Sequence, residues 1–139
     1  MDTDEALRLT RSQVWSDRAN AGRHLSAVAG QEPVDAAVRD LLLDRGDTAV
    51  TEATAEALLR RGDAPALRLL AAVWHVAAPQ TADHLGAALS RVLFELSCAD
   101  LRSRLRFLAA VEGLLAESDP DVRADARDLL DEVAQALLD

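Results

Sequence analysis

The sequence predicts an all-α fold: one domain, residues 1–139, in which about three and a half antiparallel helical hairpins stack as an α-solenoid of seven helices. Three observations carry this. Asp47-Thr-Ala-Val50, Asp83-His-Leu-Gly86 and Asp119-Pro-Asp-Val122 recur at a fixed offset of 36 residues, each opening a run rich in alanine and leucine. The register continues along those runs, where Thr54, Ser90 and Ala126 coincide and so do Leu58, Phe94 and Leu130. A long period of this kind marks helical hairpins that stack on one another, and no segment alternates apolar and polar residues over a strand's length.

The punctuation places each element. Gly30, Gly46 and Gly62 fall 16 residues apart, each just past a helical pattern, where glycine can take the left-handed conformation that closes a helix. Helix-opening residues follow them: Pro33 after Gly30, Asp47 after Gly46, and Asp63 with Pro65 after Gly62. Ala78-Pro79-Gln-Thr81 breaks the chain before a helix near Ala82, Asp100 caps a helix from Leu101, and Asp119-Pro120 is a cap followed by a first-turn proline. These signals give helices over about 12–29, with an extra turn from 3, then 33–44, 48–61, 64–77, 82–98, 101–117 and 120–138.

The apolar faces are broad. Leu67, Leu70, Ala71 and Trp74 form one stripe of the helix from 64, flanked by Leu69, Val73 and Val76; Leu101, Leu105, Leu108 and Leu115 form one in the helix from 101, widened by Phe107, Val111 and Leu114. Such faces need neighbours on two sides, as in the middle of a stack. The last helix differs, because Val122, Ala126, Leu129, Leu130, Val133 and Leu137 point one way while Asp121, Asp125, Asp128 and Glu132 recur on the other, as a terminal cap requires.

Asp119-Pro-Asp-Val122-Arg-Ala-Asp-Ala126-Arg-Asp-Leu-Leu130 resembles the first-helix signature of HEAT repeats, and Asp47-Thr-Ala-Val50-Thr-Glu-Ala-Thr54-Ala-Glu-Ala-Leu58 is similar without the proline and arginine. Ser12-Gln-Val-Trp15-Ser-Asp-Arg18-Ala-Asn-Ala21 is a more distant relative, and the copy from Asp83 departs furthest, with Gly86 where valine belongs. The resemblance implies a right-handed superhelical stack whose second helices line a concave side, and a role in holding other proteins.

Composition narrows the partners. The chain has 15 Lys+Arg against 24 Asp+Glu, a net charge of −9 and a pI near 4.7, which repels nucleic acid on average. Lysine, isoleucine and tyrosine are absent, all of them residues with AT-rich codons, so a high-GC bacterial genome is the expected source and arginine is partly codon usage. The acidic start Met1-Asp-Thr-Asp-Glu5 is unlike a signal peptide, and no apolar run approaches the roughly 18–20 residues of a membrane span, giving a soluble, cytoplasmic expectation with no membrane partner. Cys98 stands alone in an apolar run and reads as a small buried hydrophobe; Trp15 and Trp74 read as core anchors.

No chemistry emerges. The His-Glu dipeptides of HEAT-type di-iron enzymes are missing, since Leu25, Val76 and Leu85 follow the three histidines. His84 and Cys98 lie about 21 Å apart on one helix, too far to share an ion, and His75 and His84 flank a turn that makes a poor metal site. There is no nucleophile elbow or phosphate loop. The expectation is therefore no enzyme, no catalytic residue, no cofactor and no metal.

Two surfaces remain. Arg68 and Arg104 share the offset of 36 and, with His75 two turns beyond Arg68, form an expected outward ladder on the concave side. The function expected from it is a scaffold or adaptor that binds another protein. The alternative is an acidic inhibitor or immunity protein whose face of Asp121, Asp125, Asp128 and Glu132 caps a basic toxin or nuclease.

Overall fold

The computed structural model describes the backbone of residues 1–138 and the side chains of residues 1–133, so Leu137 of the last apolar stripe lies outside the described side chains. Among the described residues there are eight helices and no strand: α1 Thr3–Leu9, α2 Trp15–Ala27, α3 Val34–Leu42, α4 Thr48–Arg61, α5 Ala64–Val76, α6 Pro79–Ser97, α7 Leu101–Leu114 and α8 Pro120–Leu138. The eighth is the N-terminal turn extended to a separate helix, capped by the Asp2 carboxylate, which accepts from the Glu5 N–H at 2.8 Å.

Aspartate caps do what their positions require. Asp47 accepts from the Ala49 N–H at 2.8 Å, Asp63 from Ala66 at 3.2 Å, Asp100 from Ser103 at 2.8 Å and Asp119 from Asp121 at 2.9 Å, each satisfying a donor that its helix leaves unpaired. Of the three spaced glycines, Gly62 ends α4 in the left-handed conformation, φ 64°. Gly30 also has a positive φ, but Gly46 does not; its N–H donates to Asp44 instead.

Helices α2 to α6 form two rows, and α1 packs on α2. α2, α4 and α6 lie side by side, while α3 and α5 form the second row, and α3 and α5 also pack on α4. α2 and α4 approach so closely that a Cβ on Gly22 would sit 2.1 Å from the Thr54 hydroxyl oxygen. Thr54 is fully buried there and donates to the Val50 carbonyl at 2.8 Å. Arg18 bonds Asp44 at 2.9 Å with both side chains nearly enclosed, and Arg61 donates to the Ser26 and Ala29 carbonyls, closing the end of α2.

The segment from Asp83 is out of step with the two sequence segments it aligns with. Because α6 starts at Pro79, one turn earlier than Asp83, Asp83 is an interior helix residue and caps nothing, unlike Asp47 and Asp119. Leu85, Leu89 and Leu93 are buried, each one residue ahead of Gly86, Ser90 and Phe94, and Phe94 is 70% exposed where its counterpart Leu58 is enclosed. A glycine offers no apolar area, so the helix turns until Leu85 takes the inward place of Val50.

The C-terminal third departs from hairpin order. α8 packs chiefly on α5, with smaller contacts to α7 and α6. Arg68, early in α5, pairs with Glu117 just before α8, and His75, at the end of α5, meets Asp125 and Asp128, so α5 and α8 run in the same sense. The Phe107 ring lies beside Gly62, so the middle of α7 meets the start of α5 and its first turns extend past it.

Candidate functional site

Of the expected ladder, the structure brings His75 onto the acidic face of α8. His75 Nδ1 lies 2.6 Å from an Asp128 oxygen and 3.6 Å from Asp125. The hydrogen bond that Asp128 accepts and then the charge of Asp125 hold the imidazole pKa above its ordinary value. Burial pushes the Asp125 carboxyl up, against the pull of His75. A cleft of about 260 Å³ opens beside them between Trp74, Asp131 and Glu132. Asp121, Asp128 and Glu132 are exposed, while Asp125 is half-buried.

Arg68 and Arg104 do not form a ladder of equivalents. Arg68 is engaged by Glu117, whereas Arg104 lies on α7 in the wall of a different cleft. The offset of 36 aligned them in the sequence, but α7 is shifted along α5, so Arg68 stands level with the end of α7. The acidic face is likewise partly used inside the molecule, because Asp125 and Asp128 fasten α8 to α5.

A surface that periodicity did not single out lies where α6 gives way to α7. Phe94 is 70%, Leu101 60% and Leu105 54% exposed, although the two leucines belong to a stripe expected to be covered. Leu101 and Leu105, with Leu93, Leu96, Leu108 and Arg104, wall a cleft of about 210 Å³. Exposed apolar side chains grouped around a cleft mark interaction surfaces far better than scattered ones do. Cys98, at the end of α6, is also exposed and not the buried hydrophobe expected; Trp15 is half exposed and anchors no core.

The arginines set this surface apart. Arg102, Arg104 and Arg106 alternate with Leu101, Ser103 and Leu105, and none of the three has a carboxylate partner among the described residues. The Nε–H of Arg104 is buried without an acceptor, a situation that costs about 1–3 kcal/mol. Arg60 and Arg91, by contrast, are tied to Glu95, Glu56 and Glu52 across the outer faces of α4 and α6. The signal in the sequence was the string Leu101-Arg-Ser-Arg-Leu-Arg106, whose leucines lie one turn apart and interleave with cations.

No group of metal-ligating side chains converges among the described residues. His75 faces α8 while His84 meets Glu52 at 3.2 Å, so the two histidines flanking the Pro79 turn serve different neighbours. No helix among the described residues is long and apolar enough to cross a membrane. What fold and surface define is an all-helical protein with an exposed apolar cleft that Arg104 borders. No family model matches the chain, and neither curated proteins nor solved structures yield a match.

Proposed function

We propose that this chain is a HEAT-like helical-repeat module that binds another protein, using the exposed side of the α6–α7 corner as its docking surface. The observation carrying this reading is the exposure of Leu101 and Leu105 on the wall of the cleft that contains Arg104. Leaving two leucines largely uncovered forgoes part of the roughly 1.5–3 kcal/mol that full burial of each supplies, which a partner's surface recovers on binding. The side-by-side packing of α2, α4 and α6 supports the repeat reading.

The test is affinity capture from the native host with wild-type protein and with the Leu101→Ser/Leu105→Ser double variant, read by mass spectrometry. The reading expects a stoichiometric partner that the wild type retains and the variant loses. Equal recovery by both proteins, or recovery by neither, contradicts it.

A further inference from the structure

We infer that the α6–α7 corner accepts an acidic amphipathic helix: apolar side chains one turn apart enter the cleft, and flanking carboxylates meet Arg104 in its wall and the exposed Arg102 and Arg106 of the same helix. This deepens the protein-binding reading and rests on it.

The argument begins with size. At about 210 Å³ the cleft is smaller than the roughly 300–1,000 Å³ typical of small-molecule sites, which suits an anchoring side chain better than a cofactor. Apart from Arg104 its walls are leucines and Phe107, so the anchor is apolar. Leu101 and Leu105 stand one helical turn apart on the rim, a spacing that a partner helix matches with apolar residues at i and i+4.

Charge then selects among apolar partners. The protein as a whole carries −9, yet the first two turns of α7 carry three guanidinium groups that form no ion pair among the described residues; Arg104 lines this cleft, and Arg106 lines the neighbouring one, which Glu95 also borders. The carboxylates nearest in sequence are already engaged: Glu95 pairs with Arg60, and Asp100 accepts from the Ser103 N–H that opens α7, with the charges of Arg106 and Arg104 acting on it from farther off. Arg104 is held in the cleft wall by packing, with its Nε–H unsatisfied. A small swing toward a carboxylate at the mouth supplies the missing acceptor in a forked, charge-assisted pair. A cationic partner gains nothing there and is repelled by the rim. An anionic membrane also offers negative charge, but a flat lipid surface cannot fill a cleft and would meet the acidic remainder of the molecule.

The experiment uses the full chain and a fluorescein-labelled helical peptide of about 16 residues, long enough to hold a helix, with leucines at i, i+4 and i+7 and glutamates between them. Controls replace every glutamate with lysine, or every leucine with alanine. The inference expects the acidic peptide to bind at least ~10-fold more tightly than either control, with affinity falling steeply as salt rises. Arg104→Glu is expected to remove that preference; Arg102→Glu/Arg106→Glu, at exposed positions, does the same without touching the cleft wall. Equal binding of acidic and basic peptides, no binding of the acidic peptide, or sedimentation of the protein with phosphatidylserine vesicles through Phe94 and Leu101 overturns the inference. A partner captured from the host whose binding is lost in the Leu101→Ser/Leu105→Ser variant but unchanged by Arg104→Glu and Arg102→Glu/Arg106→Glu overturns it while leaving the protein-binding reading standing.

Discussion

The row of α2, α4 and α6 and the corner formed by α6 and α7 are built from the same few residue types and use them in opposite ways. In the row, leucines and valines are enclosed and arginines are matched with glutamates: Arg91 reaches Glu52 and Glu56, and Arg60 reaches Glu95. At the corner, leucines are uncovered and arginines have no carboxylate partner among the described residues. One region is complete in itself; the other is an unfinished interface. Composition therefore says little about the role of a leucine or an arginine in this chain, and neighbours decide it.

The sharpest way to break this contrast is to truncate one leucine in each region. Leu58→Ala, in the enclosed row, is expected to cost about 2–5 kcal/mol, whereas Leu105→Ala at the corner is expected to stay within about 0.5 kcal/mol, both read by urea denaturation. Comparable losses would show that the corner is core. Next in size is Gly22→Ala, which places a Cβ 2.1 Å from the Thr54 hydroxyl and is expected to destabilise by about 1–3 kcal/mol. The companion change Thr54→Ala in that background should recover part of the loss, since it removes the colliding oxygen.

Smaller still is the ion-pair ladder. Glu52 is pushed up by burial, but its bonds from Arg91 and His84 leave its pKa lowered overall. Arg91→Ala is expected to cost only about 0.2–1 kcal/mol, because Arg91 is half exposed, and less at high salt. Equal losses at low and high salt would argue against an ionic origin.

The smallest effect concerns the seam between α5 and α8. A raised imidazole pKa means that the His75 contribution is fully present below its ordinary value near 6.5 and is lost as pH rises through the higher folded-state value. Asp125, also raised, favours its protonated form and adds to the same direction from a lower window, while Asp121 and Asp128 face the same imidazole. The difference in melting temperature between wild type and His75→Gln is thus expected to be largest at mildly acidic pH and to shrink in alkaline buffer. A difference that grows with pH would contradict the pairing.

Local signals in the sequence located most of the helices because caps act within a turn: Asp47, Asp63, Asp100 and Asp119 each bond the N–H groups that their positions dictated. The phase of α6 was hidden because it depends on which of two adjacent residues, Leu85 or Gly86, better fills the space beside α4, a question of packing and not of period. Pairing of α8 with α5 was hidden for a related reason: the aspartates were visible as one face, but the imidazole they meet lies some fifty residues earlier, at the end of another helix. At the corner, amphipathicity identified Leu101 and Leu105 as one stripe without saying whether anything covers it. Of the candidate residues, only Arg104 lies in the surface now favoured, and it was reached through a repeat offset that the structure does not keep.

The most direct test is hydrogen–deuterium exchange on the protein alone and then with the partner recovered from its host. The free protein is expected to exchange slowly through α2 and α4 and faster through α7, and the partner is expected to add protection over residues 93–108. New protection confined to α3 and α5, with the α6–α7 corner unchanged, would contradict the assignment of that corner as the docking surface.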